Sequence, residues 1–79
     1  MKEIKVGFLG MGTVAQGVWQ QLISKSEVWQ RKLGVMIVPH IAAVRDTGKR
    51  RDIDIKPSQM TTDTDSVATH SEVDLVIEL

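Results

Sequence analysis

The sequence predicts an α/β protein with elements in the order β-α-β-β-α-β, a parallel sheet with helices packed on it. Three observations predict it. Residues 4–10 and 73–79 are largely apolar runs, as strands buried on both faces of a parallel sheet require. Between Thr13 and Leu33 the apolar positions recur instead every three or four residues, the period of an amphipathic helix. Gly10 and Gly12 stand where one period gives way to the other and mark a turn. Strands in this arrangement are parallel and joined by right-handed crossovers.

The elements follow in order. The first strand covers residues 4–10. Val14, Val18, Leu22, Trp29 and Leu33, flanked by Ala15, Trp19 and Ile23, form the apolar side of one helix, or of two in tandem broken near residues 24–26. Gly34 is the stop signal. Residues 35–44 form the second strand. Pro39 has no N–H to give to a ladder, so it belongs at an unpaired start or a bulge, and the paired part is expected at residues 40–44. The polar stretch 45–52 is a loop, and residues 59–62 form a short edge strand. Asp63 or Asp65 caps a short helix over residues 66–70, and residues 73–79 make the last strand.

Composition narrows the function. The chain has 79 residues, 10 Lys+Arg against 10 Asp+Glu and no Cys. Zero net charge excludes the basic excess needed for nucleic-acid or anionic-membrane binding. No disulfide framework, thiol nucleophile or Cys-based zinc site is available. No apolar run approaches the roughly 20 residues of a membrane span, and the start does not read as a signal peptide. The expectation is a cytoplasmic protein. At this length it is one small domain, without room for a substrate pocket of its own.

The sharpest signal is Gly10-Met11-Gly12-Thr13-Val14-Ala15, a G-x-G-x-x-A pattern set between a strand and a helix. Gly10 permits the tight turn, and Gly12 lets a pyrophosphate approach the backbone. Small Ala15 lets helix and strand pack closely. Free N–H groups and the helix dipole then hold the phosphates. The sheet is therefore of Rossmann type and residues 1–79 form a dinucleotide-binding domain, which the family resemblance given below implies is a partial, truncated one; Gly7 and Gly17 are packing glycines. At the end of the second strand stand Arg45 and Asp46, then Lys49, Arg50 and Arg51. Asp46 lies 34 residues after Gly12, more than the usual distance of about 20, and the long helical stretch accounts for the excess. An acid there favours the ribose hydroxyl of NAD(H), an Arg the 2′-phosphate of NADP(H). Arg45, one residue nearer the strand, makes NADP(H) the preferred cofactor, while residues 49–51 read equally well as a solvated loop.

The remaining candidates are weak. His40 and His70 are distant in sequence with no ligand-like partner, so no metal site is expected. Trp19 and Trp29 read as core or interface. Glu78 ends a strand whose tip points toward the cofactor crevice, but a terminal carboxylate reads equally as solvated surface. No catalytic constellation is visible, neither a Ser-His-Asp arrangement nor a P-loop Lys.

The runs Ile4-Lys5-Val6-Gly7-Phe8-Leu9-Gly10-Met11-Gly12-Thr13-Val14, Ala43-Val44-Arg45-Asp46 and Val73-Asp74-Leu75-Val76-Ile77-Glu78-Leu79 together resemble the amino-terminal part of homoserine dehydrogenase. The G-x-G-T-V loop and the V-D-x-V-I-E strand are the distinctive pieces. Ala15 stands where a third glycine is more frequent, and the Gly-Gly expected after the last strand lies beyond Leu79. The resemblance implies reversible reduction of aspartate semialdehyde to homoserine with NAD(P)H, on the route to threonine, methionine and isoleucine. It implies that Gly10, Met11, Gly12, Thr13 and Val14 wrap the pyrophosphate and that Arg45 meets the adenosine end. It also implies a small-molecule substrate and a homo-oligomer, with the catalytic Lys and Asp and the dimerisation sheet outside these residues. The strand order it implies is 3-2-1-4. Sequential reading gives 3-2-1 with residues 73–79 on the outside, and both orders stand open. A stand-alone nucleotide-binding or redox-sensing module, or part of another NAD(P)-dependent dehydrogenase, are the alternatives.

Overall fold

Strand β1 (Lys2–Leu9) carries apolar side chains on both faces and runs through the middle of a four-stranded parallel sheet. The computed structural model describes residues 2–79. Two helices follow, α1 (Thr13–Ser24) and α2 (Ser26–Leu33), then β2 (Val35–Ala43). A 3₁₀ turn at Pro57–Gln59 leads into the two-residue β3 (Met60–Thr61), then α3 (Thr64–Ala68) and β4 (Leu75–Glu78). The strand order is β3-β2-β1-β4. The last strand therefore pairs beside the first, and the sequential alternative is excluded.

The two faces of β1 take different helices. Val6 and Phe8 point to one side, where Phe8 meets Trp19 of α1 with ring centroids 5.3 Å apart and tilted by 52°. Both rings are fully buried, and Met11, Ala15, Ala42 and Val44 complete this core. Gly7 points to the other side, under α3. A Cβ there would lie 2.8 Å from Cγ1 of the fully buried Val67, so the helix rests on bare backbone. Gly7 is thus a packing glycine. Gly17 is not: it is exposed, and a Cβ on it would meet nothing.

Other local expectations are refined. The helical stretch is two helices hinged at Lys25, and Gly34 closes α2 in the left-handed conformation at φ 67°. The buried side of α1 is Ala15 and Trp19, whereas Val14 is 68% exposed and lies outside the core. Ile23 and Leu33 are exposed as well. Asp63 caps α3, its Oδ1 accepting from the Ser66 N–H at 3.2 Å. Pairing of β2 begins at Val35, not at residue 40. Pro39 lies inside the strand opposite Val6, and the register slips immediately after it, with Gly7 opposite Ile41. His40 is the extra residue of this bulge. The missing N–H of Pro39 is absorbed by a local irregularity rather than by shortening the strand.

Candidate functional site

All four strands point their carboxyl ends to the same side of the sheet, and a cavity of about 980 Å³ opens there. Parallel α/β sheets place ligands at this end, where the strand order changes direction. Its floor is the β1–α1 turn from Leu9 to Gly12. One wall is Ala43 to Asp46 with Lys49 and Arg51; Thr64, Asp65, Ala68 and Glu78 close the other.

The turn is shaped for a close approach. Gly10 has φ 99°, a conformation L side chains rarely adopt, and its N–H donates to the Ala43 carbonyl at 2.7 Å, tying the turn to β2. Gly12 is the N-cap of α1, and a Cβ on it would meet no atom within 4 Å. Gly12 itself lines the cavity. No side chain caps this helix and no acidic residue lies in its first turn, so the N–H groups that follow Gly12 keep their positive dipole end uncompensated. This arrangement fits a pyrophosphate.

The residues picked out by sequence divide into four groups. Gly10, Gly12 and Arg45 line the cavity, with Arg45 exposed at its rim. Met11 also lines it, but its side chain is part of the core, so it presents backbone to a ligand. Thr13 and Val14 are exposed in the first turn of α1, outside the lining, and offer their backbone N–H groups. Asp46 serves the backbone beside it, its Oδ1 accepting from the Gly48 N–H at 2.9 Å and closing the turn after β2.

Comparison with known proteins bears on this crevice. The whole chain aligns with homoserine dehydrogenase of Bacillus subtilis at 33% identity over 79 residues, 18% of that protein. With the Pseudomonas aeruginosa homoserine dehydrogenase the identity is 39% over 80 residues, again 18% of the relative. A crystal structure of the Staphylococcus aureus enzyme superimposes with a TM-score of 0.88 at 29% identity, over 99% of this chain and 20% of that one. The chain matches the amino-terminal portion of homoserine dehydrogenase. It spans only 18% of the length of these curated relatives. No family model matches it. The four-stranded parallel sheet and its helices are those of the homoserine dehydrogenase fold over the superimposed region.

Gln16 escaped the sequence reading, and Arg51 was named there only as part of the basic run 49–51. The Gln16 side chain donates to the Met11 carbonyl at 3.0 Å and accepts from the Asp52 N–H at 3.2 Å, bridging the glycine turn to the loop after β2. Arg51 donates to the carbonyls of Lys49 and Asp46, both at 2.9 Å, so its guanidinium gathers the loop around itself. The loop is therefore an organised wall and not a freely solvated segment. A polar side chain between periodic apolar ones gave Gln16 no distinguishing signal, and Arg51 was hidden among three consecutive basic residues.

A second grouping was not anticipated. His40 and His70, 30 residues apart in sequence, lie with ring centroids 5.2 Å apart and edge to face, beside Glu72. Glu72 has its carboxyl lowered from the ordinary value, chiefly by the Lys5 ammonium that donates to it at 3.1 Å, and further by His40. This cluster corrects the expectation that the histidines have no ligand-like partner.

Proposed function

We propose that this chain is the dinucleotide-binding portion of an NAD(P)-dependent homoserine dehydrogenase, an oxidoreductase interconverting L-homoserine and L-aspartate 4-semialdehyde. The observation that carries this reading is the crevice itself: an uncapped helix start and a side-chain-free approach at Gly12, in a chain similar to homoserine dehydrogenase throughout. When bound, the nicotinamide cofactor supplies the hydride acceptor or donor. The residues of this chain bind and orient it. Gly10 turns the backbone, Gly12 admits the pyrophosphate, and the first-turn N–H groups of Thr13 and Val14 hold its oxygens. Gln16 and Arg51 keep the two walls in place around it.

In this reading the residues of the crevice bind and orient the cofactor, and proton transfer falls to groups outside this chain. The reading extends to NADP(H) as preferred cofactor. Arg45 at the rim can meet a 2′-phosphate with two parallel hydrogen bonds, while one oxygen of Asp46, its competitor, is engaged by Gly48. Calorimetric titration of the chain with NADPH and NADH tests both parts. Tighter binding of NADPH is expected, by roughly ten- to hundred-fold if a charged hydrogen bond contributes about 1.5–3 kcal/mol. Arg45→Ala should abolish that difference. Absence of any dinucleotide binding defeats the proposal, and an unchanged ratio in Arg45→Ala removes Arg45 from the specificity assignment.

A further inference from the structure

Outside the crevice, the bulge in β2 and the segment leading into β4 bring together the only two histidines of the chain. His40 is the bulge residue, and a bulge re-aims a side chain that regular pairing would fix. His70 and Glu72 follow α3. One donor atom from each of the three lies within 4.8 Å of the others, and Glu72 Oε2 is 3.8 Å from His40 Nε2. We propose that His40, His70 and Glu72 form a binding site for a divalent transition-metal ion of the zinc class.

The donor set is the first reason. Two imidazoles and a carboxylate suit zinc, whereas magnesium and calcium require oxygen ligands. Spacing is the second. Ligand atoms about 2.0–2.2 Å from a tetrahedral ion lie roughly 3.3–3.6 Å apart, so the present set closes by at most about 1.5 Å. Side-chain rotation of an exposed glutamate and two half-buried histidines covers that distance.

Protonation is the third. His70 Nδ1 accepts from the Glu72 N–H at 3.1 Å, which places the proton of the neutral ring on Nε2. Nδ1 then carries the lone pair, and a cation takes it without a change of tautomer. The Glu72 N–H it releases is exposed, within reach of solvent.

The surrounding charges set the strength. Lys5 Nζ holds Glu72 Oε1 at 3.1 Å and leaves Oε2 turned toward His40. That ammonium positions the carboxylate but opposes a cation, and Glu3, 3.9 Å from the same Nζ, offsets part of its charge. Asp74 adds a further negative charge nearby, its Oδ2 accepting from the Lys5 N–H at 2.9 Å. An ion here ties β2 to the segment that precedes β4.

Isothermal titration of the untagged chain with zinc chloride at neutral pH tests the proposal, with magnesium chloride in parallel. With no Cys and two His in the sequence, imidazole-dependent binding has one place to occur. One zinc per chain is expected, with no magnesium binding and a zinc-dependent rise in Tm reversed by chelator. His40→Ala and His70→Ala should each weaken zinc by no less than the roughly 10–100-fold that losing an outer hydrogen-bond partner of a ligand causes. Zinc binding that is absent, or equally strong in both variants, overturns the site. Where a variant does not fold, the imidazole proton resonances of the wild-type chain decide. Both histidines should shift together on adding zinc, and two unmoved signals overturn the proposal.

Discussion

At the scale of single residues, three glycines of one turn-and-strand segment do three different things, and the structure separates them. Gly7 makes room for α3, Gly10 supplies a positive φ, and Gly12 leaves a space open to solvent. Gly12→Val should therefore spare the fold and remove the ligand. Its side chain meets no protein atom, and the loss of a favourable N-cap residue costs about 1 kcal/mol. Dinucleotide affinity should fall by at least about tenfold, because the branched side chain would occupy the place proposed for the pyrophosphate. Titration of the variant, with circular dichroism as control, measures both. Unaltered affinity would make the turn a mere connection. Gly7→Ala provides the contrast: its Cβ would lie 2.8 Å from Val67, so Tm should drop while the crevice stays unobstructed.

At the scale of elements, the loop after β2 depends on Arg51. Its two hydrogen bonds to backbone carbonyls reach across the loop, with Met60 Sδ 3.6 Å from the same guanidinium. Arg51→Met keeps the length of the side chain and deletes those bonds, each worth about 1 kcal/mol net. Amide exchange over residues 46–51 should accelerate, and dinucleotide affinity should weaken as the wall loosens. If affinity falls with exchange unchanged, Arg51 contacts the ligand directly instead. The elements themselves were largely legible in the sequence, because their signals are local. A buried strand, a 3.6-residue period, Gly34 as a stop and Asp63 as a cap are each written within a few neighbouring residues. The crevice was legible for the same reason, since Gly10 and Gly12 sit between strand and helix. What escaped depends on partners distant in sequence. The bulge at His40 arises from the register of β2 against β1, the His40–His70 pair from two separate elements, and the bridging by Gln16 from a loop 36 residues away. Strand order has the same origin, because periodicity says nothing of which neighbour a strand takes.

At the scale of the whole molecule, the sheet has two unequal edges among the described residues. One is β3, two residues long and too short to template another strand. The other is β4, which pairs with β1 on one side and presents its opposite backbone edge unpaired. Leu75, Val76 and the neighbouring Leu79 are exposed along it. Charges and prolines normally guard such edges, and β4 has only Glu78 at its far end. Self-association of this chain through β4 is the expected outcome. Two copies related by a two-fold axis would pair their β4 strands antiparallel and join two sheets into one, with each Glu78 carboxylate set away from its counterpart. Sedimentation velocity over a concentration series should show a monomer giving way to a dimer as concentration rises. Val76→Lys places an ammonium midway along the edge, where the two-fold would bring it close to its own copy, and should hold the chain monomeric with its Tm little changed. Salt should partly restore association in that variant by screening the repulsion, since the Debye length shrinks from about 10 Å at 0.1 M to about 3 Å at 1 M. A wild-type chain that stays monomeric throughout the series, or a Val76→Lys chain that dimerises as readily as wild type, would show that the β4 edge does not drive association.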